Sequence, residues 1–506
     1  MNDAPSVGNY NAADALLLPN LAHERAARVA VVDDAGTYTY AEIDRRANRF
    51  ANVLRARGLV NRQRVLLCLE DSVDFPVCFL GAIRAGAIPV PLNTLLTPKD
   101  YAYIVSDSEA KLLVVSAALA PEWQSILEPT SPLDVLVSGR TTSHPTLDRA
   151  LADASHAHAV APTRRDEPAF WLYTSGTTGN PKGVIHRHGD LEFTARTYGR
   201  QVLGITADDV VFSAAKLFFA YGLGNALTFP FSVGATVVLT AARPTPSVVK
   251  ATLATHRPTL FCGVPTLYAM LLAEPELPPR DRLRMCISAG EALPETLLQR
   301  WRDGVGLDIL DGIGTTEMLH IFVSNRPGDV APGTSGRAVP GYAVRIVDEH
   351  GNDTDVDAIG DLEVRGDSAA VGYWKLPEQS GATFRDGWVR TGDKYLRRAS
   401  GHLVYCGRRD DLLKVGGIYV SPMEVENALL AHPAVIEVAV VGAQDADKLI
   451  KPKAIVVARS PSPALADELI AHVRGRLADY KRPRWIEFVD SLPKTATGKV
   501  QRYKLR

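Results

Sequence analysis

Short runs rich in Val, Leu and Ile recur between amphipathic stretches through most of this chain, and that alternation limits the folds open to it. Residues 64–70, 111–116, 236–240 and 284–288 read as strands, apolar along their length and bounded by turn residues. Between such runs lie segments with helical spacing. One covers residues 40–56 and puts Ile43, Ala47, Phe50, Ala51 and Leu54 on one face. A strand that is apolar on both faces must be covered on both, so the pattern predicts an α/β fold with largely parallel sheets flanked by helices. After about Gly333 the texture changes to strands and turns, with strands expected over 343–347 and 360–365, which indicates a β-rich subdomain.

At 506 residues the chain is too long for one core. A charged run, Arg408, Arg409, Asp410 and Asp411, lies between Gly407 and the Gly416–Gly417 pair. It marks a division into a large N-terminal domain of layered α/β subdomains plus the β-rich part, residues 1–409, and a small hinged α+β domain, residues 410–506. In the latter, helices are expected over 422–431 and 464–478, and strands over 435–442, 452–458 and 484–489.

Composition removes several classes of function. The formal net charge is −1, so no basic field points to nucleic acid or an anionic membrane. The five cysteines have no CxxC spacing and read as reduced, buried thiols, neither a disulfide frame nor a zinc site. The N-terminus lacks the basic and apolar regions of a signal peptide, and no apolar run reaches the ~18 residues of a membrane span. A cytoplasmic protein is expected, with monomer and homodimer both open.

Chemistry is concentrated first in residues 173–183, where Thr174, Ser175, Gly176, Thr177, Thr178, Gly179 and Lys182 follow the apolar run 169–172. Glycines admit an anion close to backbone N–H groups, hydroxyls add donors, and the lysine adds a mobile positive charge. The loop suits nucleotide phosphates, although its spacing is not that of the Walker A loop. Further on come Ala289, Gly290, Glu291 and Ala292 after an expected strand. Then follow Asp311, Gly312, Ile313, Gly314, Thr315, Thr316 and Glu317, and Asp393 closing Thr391-Gly392-Asp393. Arg408 and a late Lys499 within Pro493–Lys499 complete the series.

These segments, in this order, resemble the signatures of the adenylate-forming enzymes: acyl-CoA synthetases, luciferases and the adenylation domains of peptide synthetases. The resemblance spans nearly the whole chain and implies ATP, Mg2+ and a thiol acceptor. It implies that Lys182, Thr174, Ser175 and Thr177 hold the β- and γ-phosphates, that the segment with Gly290, Glu291 and Ala292 lies against the adenine, and that Gly176, Thr178, Gly179, Asp311, Gly312 and Ile313 also bind the nucleotide. Thr316 would touch the α-phosphate, Glu317 would coordinate the metal, Asp393 would bind the ribose, and Arg408 would donate to the same sugar or to phosphate. Lys499 would bring positive charge to the carboxylate and α-phosphate. The same resemblance makes Asp410 the hinge about which the small domain turns between two half-reactions, bringing Gly416 and Gly417 to line a pantetheine tunnel.

The acyl group is read from residues 216–225, where amino-acid-activating relatives carry an aspartate and this chain offers Phe219, Ala220 and Tyr221. With Ala289, Gly314, His320 and Ile321 they make an aromatic slot closed against long chains. The wording of both segments looks most like that of benzoate–CoA ligases and implies aromatic compound degradation. Benzoate is the first expectation, with 4-hydroxybenzoate or 2-aminobenzoate behind it. The chain ends seven residues past Lys499, so free coenzyme A is expected as acceptor, and Tyr480, Arg482 and Arg484 are candidates for its phosphates. Two other functions are weighed: a stand-alone adenylation enzyme loading a separate carrier protein, and a non-catalytic nucleotide or aryl-acid binder, which should have lost Glu317, Asp393, Arg408 or Lys499. His186 and His188 are expected to pack or cap locally, without a catalytic role.

Overall fold

The alternating pattern resolves into two parallel sheets. A computed structural model describes residues 8–127, 133–174, 180–408, 412–415, 418–445, 449–494 and 500–505. Strands Ile88–Pro91, Arg64–Cys68, Leu112–Ser116 and Asp134–Ser138 form one all-parallel sheet in that spatial order. Every residue of Ile88–Pro91 and Leu112–Ser116 is buried, as a strand covered on both faces requires. Helix Tyr40–Ala56 opens on a reciprocal cap: Glu42 N donates to Thr39 Oγ1 at 3.3 Å, and Thr39 N donates to Glu42 Oε2 at 2.7 Å. It buries Ile43, Ala47, Phe50, Ala51 and Leu54, the face its spacing marks, and packs on helix Asp74–Ala85.

The larger sheet has nine strands, and its centre positions the chemistry. Strands Val29–Asp33, Thr236–Val238, Val210–Ser213, Leu260–Gly263, Met285–Ser288 and Ile309–Gly314 are neighbours in that order and all parallel. Antiparallel strands close both edges: Gly36–Thr39 on one, Ile321–Ser324 and Arg337–Ala338 on the other. The segments carrying Phe219–Tyr221, Ala289–Ala292 and Thr315–His320 leave the carboxyl ends of three of these strands, where open parallel sheets present ligand sites.

The β-rich subdomain is an antiparallel sheet of Ala343–Val347, Gly360–Arg365, Trp388–Arg397, Phe384–Arg385 and Leu403–Arg408. The smaller C-terminal domain has its own core of Val420, Val425, Leu429, Val440, Val456, Leu469 and Val473. There Val435–Gln444 and Ile450–Ala458 pair antiparallel, Trp485–Phe488 adds in parallel, and helices Pro422–Leu430 and Pro463–Arg474 cover the sheet. The last helix stops four residues short of the expected 478, because Gly475 follows Arg474 and glycine is a poor helix former. All five cysteines are free and buried, and burial raises the Cys68 thiol to about 11. Among the described residues no helix is long and apolar enough to cross a membrane.

Candidate active site

The described residues on either side of the phosphate-loop segment are paired strands. Pro168–Thr174 and Lys182–Arg187 form an antiparallel hairpin with Thr174 opposite Lys182. Ser175, Gly176, Thr177, Thr178 and Gly179 lie outside the described residues. Gly372–Tyr373 adds to the hairpin as a third strand, placing Tyr373 opposite Val184. Lys182 Nζ stands 5.2 Å from the centre of the Tyr373 ring, within cation–π range. On its other side Tyr373 Oη donates to Glu317 Oε1 at 2.8 Å. Burial, helped by that carboxylate, pushes the Tyr373 phenol above its ordinary value, so it stays a donor. One tyrosine therefore ties the phosphate hairpin to the turn Thr316–Met318. Motif reading missed Tyr373, which lies on a two-residue strand with no motif of its own.

Glu317 keeps its second oxygen clear of the Tyr373 bond. Mg2+ is held in proteins by one or two carboxylates with waters and substrate phosphates completing its octahedron, and a single oriented carboxylate beside a phosphate loop fits that habit. Asp393 and Arg408 stand directly opposite one another on adjacent strands, with Arg408 Nη1 2.9 Å from Asp393 Oδ1. Asp393 is buried while Arg408 is partly exposed, so the pair presents a fixed carboxylate and a guanidinium at one edge.

The expected adenine-binding segments differ in depth. Gly290 is exposed at φ +91°, with open space where a side chain would project, and Glu291 Oε2 accepts from Thr266 Oγ1 at 3.0 Å. Ala292 is half-buried, as is Ile313, and Gly312 is buried. Asp311 is interior: burial drives its carboxyl well above the ordinary range. Its backbone carbonyl accepts from Asn325 N at 2.9 Å.

The expected aryl slot gathers around His320. Tyr221 opens the short helix Ala220–Leu223 and donates from Oη to Gly263 O at 3.2 Å. His320 Nε2 lies 3.2 Å from the Tyr221 carbonyl oxygen, which is an acceptor, so Nε2 carries the hydrogen. The imidazole packs against Phe229, Tyr198 and Tyr221 with ring centres 4.6, 5.3 and 5.6 Å away. Burial lowers its pKa to about 3, so the ring is neutral. Two π-helical segments, Ala195–Arg200 and Gly224–Thr228, bracket it; such widened turns recur at functional sites. Gly224 is the close-approach residue: a Cβ there would stand 2.3 Å from His320 Cδ2. Gly314 meets backbone, since its Cβ would lie 2.5 Å from His320 O. Ala289 and Ile321 are buried beside these strands, and Ala220 is half-buried. Phe219, expected as a wall, is exposed and tilts against Phe218 at 4.5 Å.

The local roles expected for the two histidines are corrected. His188 Nδ1 accepts from Ala12 N at 3.2 Å and so caps a helix at the far end of the sequence; burial holds its pKa near about 4. His186 bonds to Thr316 O, as developed below. In the C-terminal domain Tyr480 lies within the turn Asp479–Lys481 and Arg482 follows it, with Arg482 Nε 2.8 Å from Asp479 Oδ1, and Arg484 is exposed just beyond. Asp410, Gly416, Gly417 and Lys499 lie outside the described residues.

With this geometry in view, comparison with known proteins is direct. Residues 19–374 match the family described as AMP-binding enzyme, and residues 424–499 match the AMP-binding enzyme C-terminal domain. The chain belongs to the AMP-binding enzyme family. Within it, the chain is 55% identical to the benzoate–CoA ligase of Thauera aromatica, over 98% of this chain and 96% of that protein. It is 46% identical to the 4-hydroxybenzoate–CoA/benzoate–CoA ligase of Rhodopseudomonas palustris, over 98% and 94%. The crystal structure of a benzoate CoA ligase from Burkholderia xenovorans superposes with a TM-score of 0.92 at 50% identity, covering 98% of this chain and all of that one.

Proposed function

We propose that this AMP-binding enzyme is an ATP-dependent aryl–CoA ligase acting in the cytoplasm on benzoate or a small hydroxy- or amino-benzoate. The observation that carries the acyl choice is the neutral His320 held against Tyr221, Tyr198 and Phe229: a flat, uncharged ring fits such walls, and none of these four side chains offers a carboxylate to an α-ammonium group.

The reaction has two steps. A carboxylate oxygen attacks the α-phosphorus of ATP, the bond from that phosphorus to the bridging oxygen breaks, and pyrophosphate leaves. The thiol sulfur of coenzyme A then attacks the adenylate carbonyl, its proton is lost to solvent, and AMP departs. In the first step Lys182 and the hairpin turn hold the β- and γ-phosphates, and Thr316 lies toward the α-phosphate. Glu317, oriented by Tyr373, would hold Mg2+, whose charge offsets that of the phosphate oxygens. Lys499 adds charge where the carboxylate and phosphate meet, and Asp393 with Arg408 fixes the ribose. Domain rotation about Asp410 then exchanges Lys499 for the Gly416–Gly417 loop, with Tyr480, Arg482 and Arg484 toward the coenzyme A phosphates.

The test is thioester formation from ATP, Mg2+ and coenzyme A across benzoate, 4-hydroxybenzoate, 2-aminobenzoate, octanoate and phenylalanine. Aryl-CoA, AMP and pyrophosphate from the small benzoic acids support the reading. Preference for octanoate or phenylalanine, or adenylate that accumulates beside unused coenzyme A, overturns it.

A further inference from the structure

The turn Thr316–Met318 is held through its backbone from outside. The carbonyl oxygen of Glu317 accepts from Ala370 N at 2.8 Å, and that of Met318 accepts from Ser368 Oγ at 2.9 Å. The carbonyl of Thr316 is met by His186 Nε2 at 2.8 Å, across a separation of 130 residues in sequence. Local bonds contribute as well, Met318 N donating to Thr315 Oγ1 at 3.3 Å and Leu319 N to Thr316 O at 3.0 Å. But Leu319, directly after the turn, has φ +66°, a conformation costly for a side-chain-bearing residue, so the outside bonds offset a local cost.

His186 is itself fixed. It is fully buried on strand Lys182–Arg187, its ring stacks on Phe170 at 5.2 Å, and its Nδ1 lies 3.0 Å from Asp190 Oδ2. Both ring nitrogens thus face acceptors. Asp190 also accepts from Arg187 N at 3.0 Å and Arg187 Nε at 3.2 Å, while Arg187 Nη2 donates to Asp367 O at 2.7 Å and Ala369 O at 3.1 Å. Residues 186–190 therefore grip the turn on one side and the segment leading to Tyr373 on the other. The unit is continuous with the strand that begins at Lys182.

We propose that His186, oriented by Asp190, is a positioning residue that sets the Thr316–Glu317 turn in register with the phosphate hairpin for adenylate formation. The inference rests on the ligase reading above. Its signature is selective: pyrophosphate and the metal take part only in the first half-reaction, so that half-reaction depends on the register most.

The experiment compares wild type with His186→Phe, which keeps an aromatic ring against Phe170 and leaves Asp190 bonded to Arg187, and with His186→Gln, which keeps an N–H donor for Thr316 O. Benzoate-dependent ATP–pyrophosphate exchange and conversion of supplied benzoyl-adenylate to thioester are measured across Mg2+ concentrations, with melting temperature followed. Expected for His186→Phe is a loss of about tenfold or more in exchange with a raised Mg2+ half-saturation, against a change below about threefold in thioester formation, with His186→Gln restoring most of the exchange. Should His186→Phe not fold, Asp190→Asn is read on the same two assays and must raise the Mg2+ half-saturation. Equal losses in both half-reactions, an unmoved Mg2+ half-saturation, or no rescue by glutamine overturns the proposal. A wild type that exchanges pyrophosphate with none of the benzoic acids refutes the ligase reading instead.

Discussion

Replacing Gly224 by alanine tests the aryl slot at its tightest point. The new methyl would stand 2.3 Å from His320 Cδ2, 2.6 Å from Nε2 and 2.9 Å from Phe229 Cζ. Carbon atoms settle about 3.5–4.0 Å apart, so the imidazole must retreat by about 1 Å or more. It cannot do so freely, because it is buried among Phe229, Tyr198 and Tyr221 and hydrogen-bonded to the Tyr221 carbonyl. Overpacking of this kind costs about 1–3 kcal/mol, and loss of the hydrogen bond about 1 kcal/mol more. A wall displaced by about 1 Å lowers kcat/KM for benzoate by about a hundredfold. The loss should fall on the KM for the aryl acid more than on the KM for ATP, since the methyl meets His320 and Phe229 and none of the residues assigned to the nucleotide. Initial rates with benzoate and ATP varied in turn, plus a melting curve, decide it. Wild-type kcat/KM with an unshifted melt would mean that the helix yields without moving His320, and the pocket reasoning fails.

Tyr373→Phe removes a hydrogen bond to a carboxylate, about 1.5–3 kcal/mol, so adenylation should fall about ten- to a hundredfold while aryl-acid KM is kept; pyrophosphate exchange reads this. His320 has a folded pKa lowered from 6.5 to about 3, so its contribution to stability is present above 6.5 and is lost as pH falls toward 3. Between pH 7 and 5 the wild type should lose about 2 kcal/mol that His320→Asn does not lose, and parallel urea-unfolding curves for the two proteins would falsify the neutral imidazole. Lys499→Ala should abolish adenylate formation yet still convert supplied benzoyl-adenylate to thioester; equal loss of both steps would sink the two-conformation scheme.

The layering of this fold was legible because its strands are buried on both faces: Arg64–Cys68, Leu112–Ser116 and Met285–Ser288 fall within two residues of the bounds set by apolar runs. Helix Tyr40–Ala56 was legible to the residue, since its cap and its periodicity agree. What stayed hidden is non-local. Tyr373 reaches Glu317 across 56 positions, and His186 reaches Thr316 across 130, and no local pattern encodes such a meeting. The π-helical turn Gly224–Thr228 was equally hidden, because one inserted residue changes neither composition nor mean apolarity; only the close approach of His320 explains the glycine. Asp311 shows the converse. Its motif neighbours marked it as nucleotide-facing, yet its carboxyl is interior.

The two glycines of the slot also set the direction in which its acid specificity can be altered. On the Gly314 side, main chain already abuts main chain, so no side chain remains to be trimmed and any substitution there can only fill space. The His320 ring, backed by Gly224, is by contrast a side-chain wall that stands beside Tyr221, Tyr198 and Phe229. Successive truncations at position 320 would therefore open room in one sector alone, favouring acids with bulk at a single ring position over uniformly longer ones. Redesign for larger or differently substituted aromatics would begin at this wall, which stands just before strand Ile321–Ser324 and outside the phosphate hairpin.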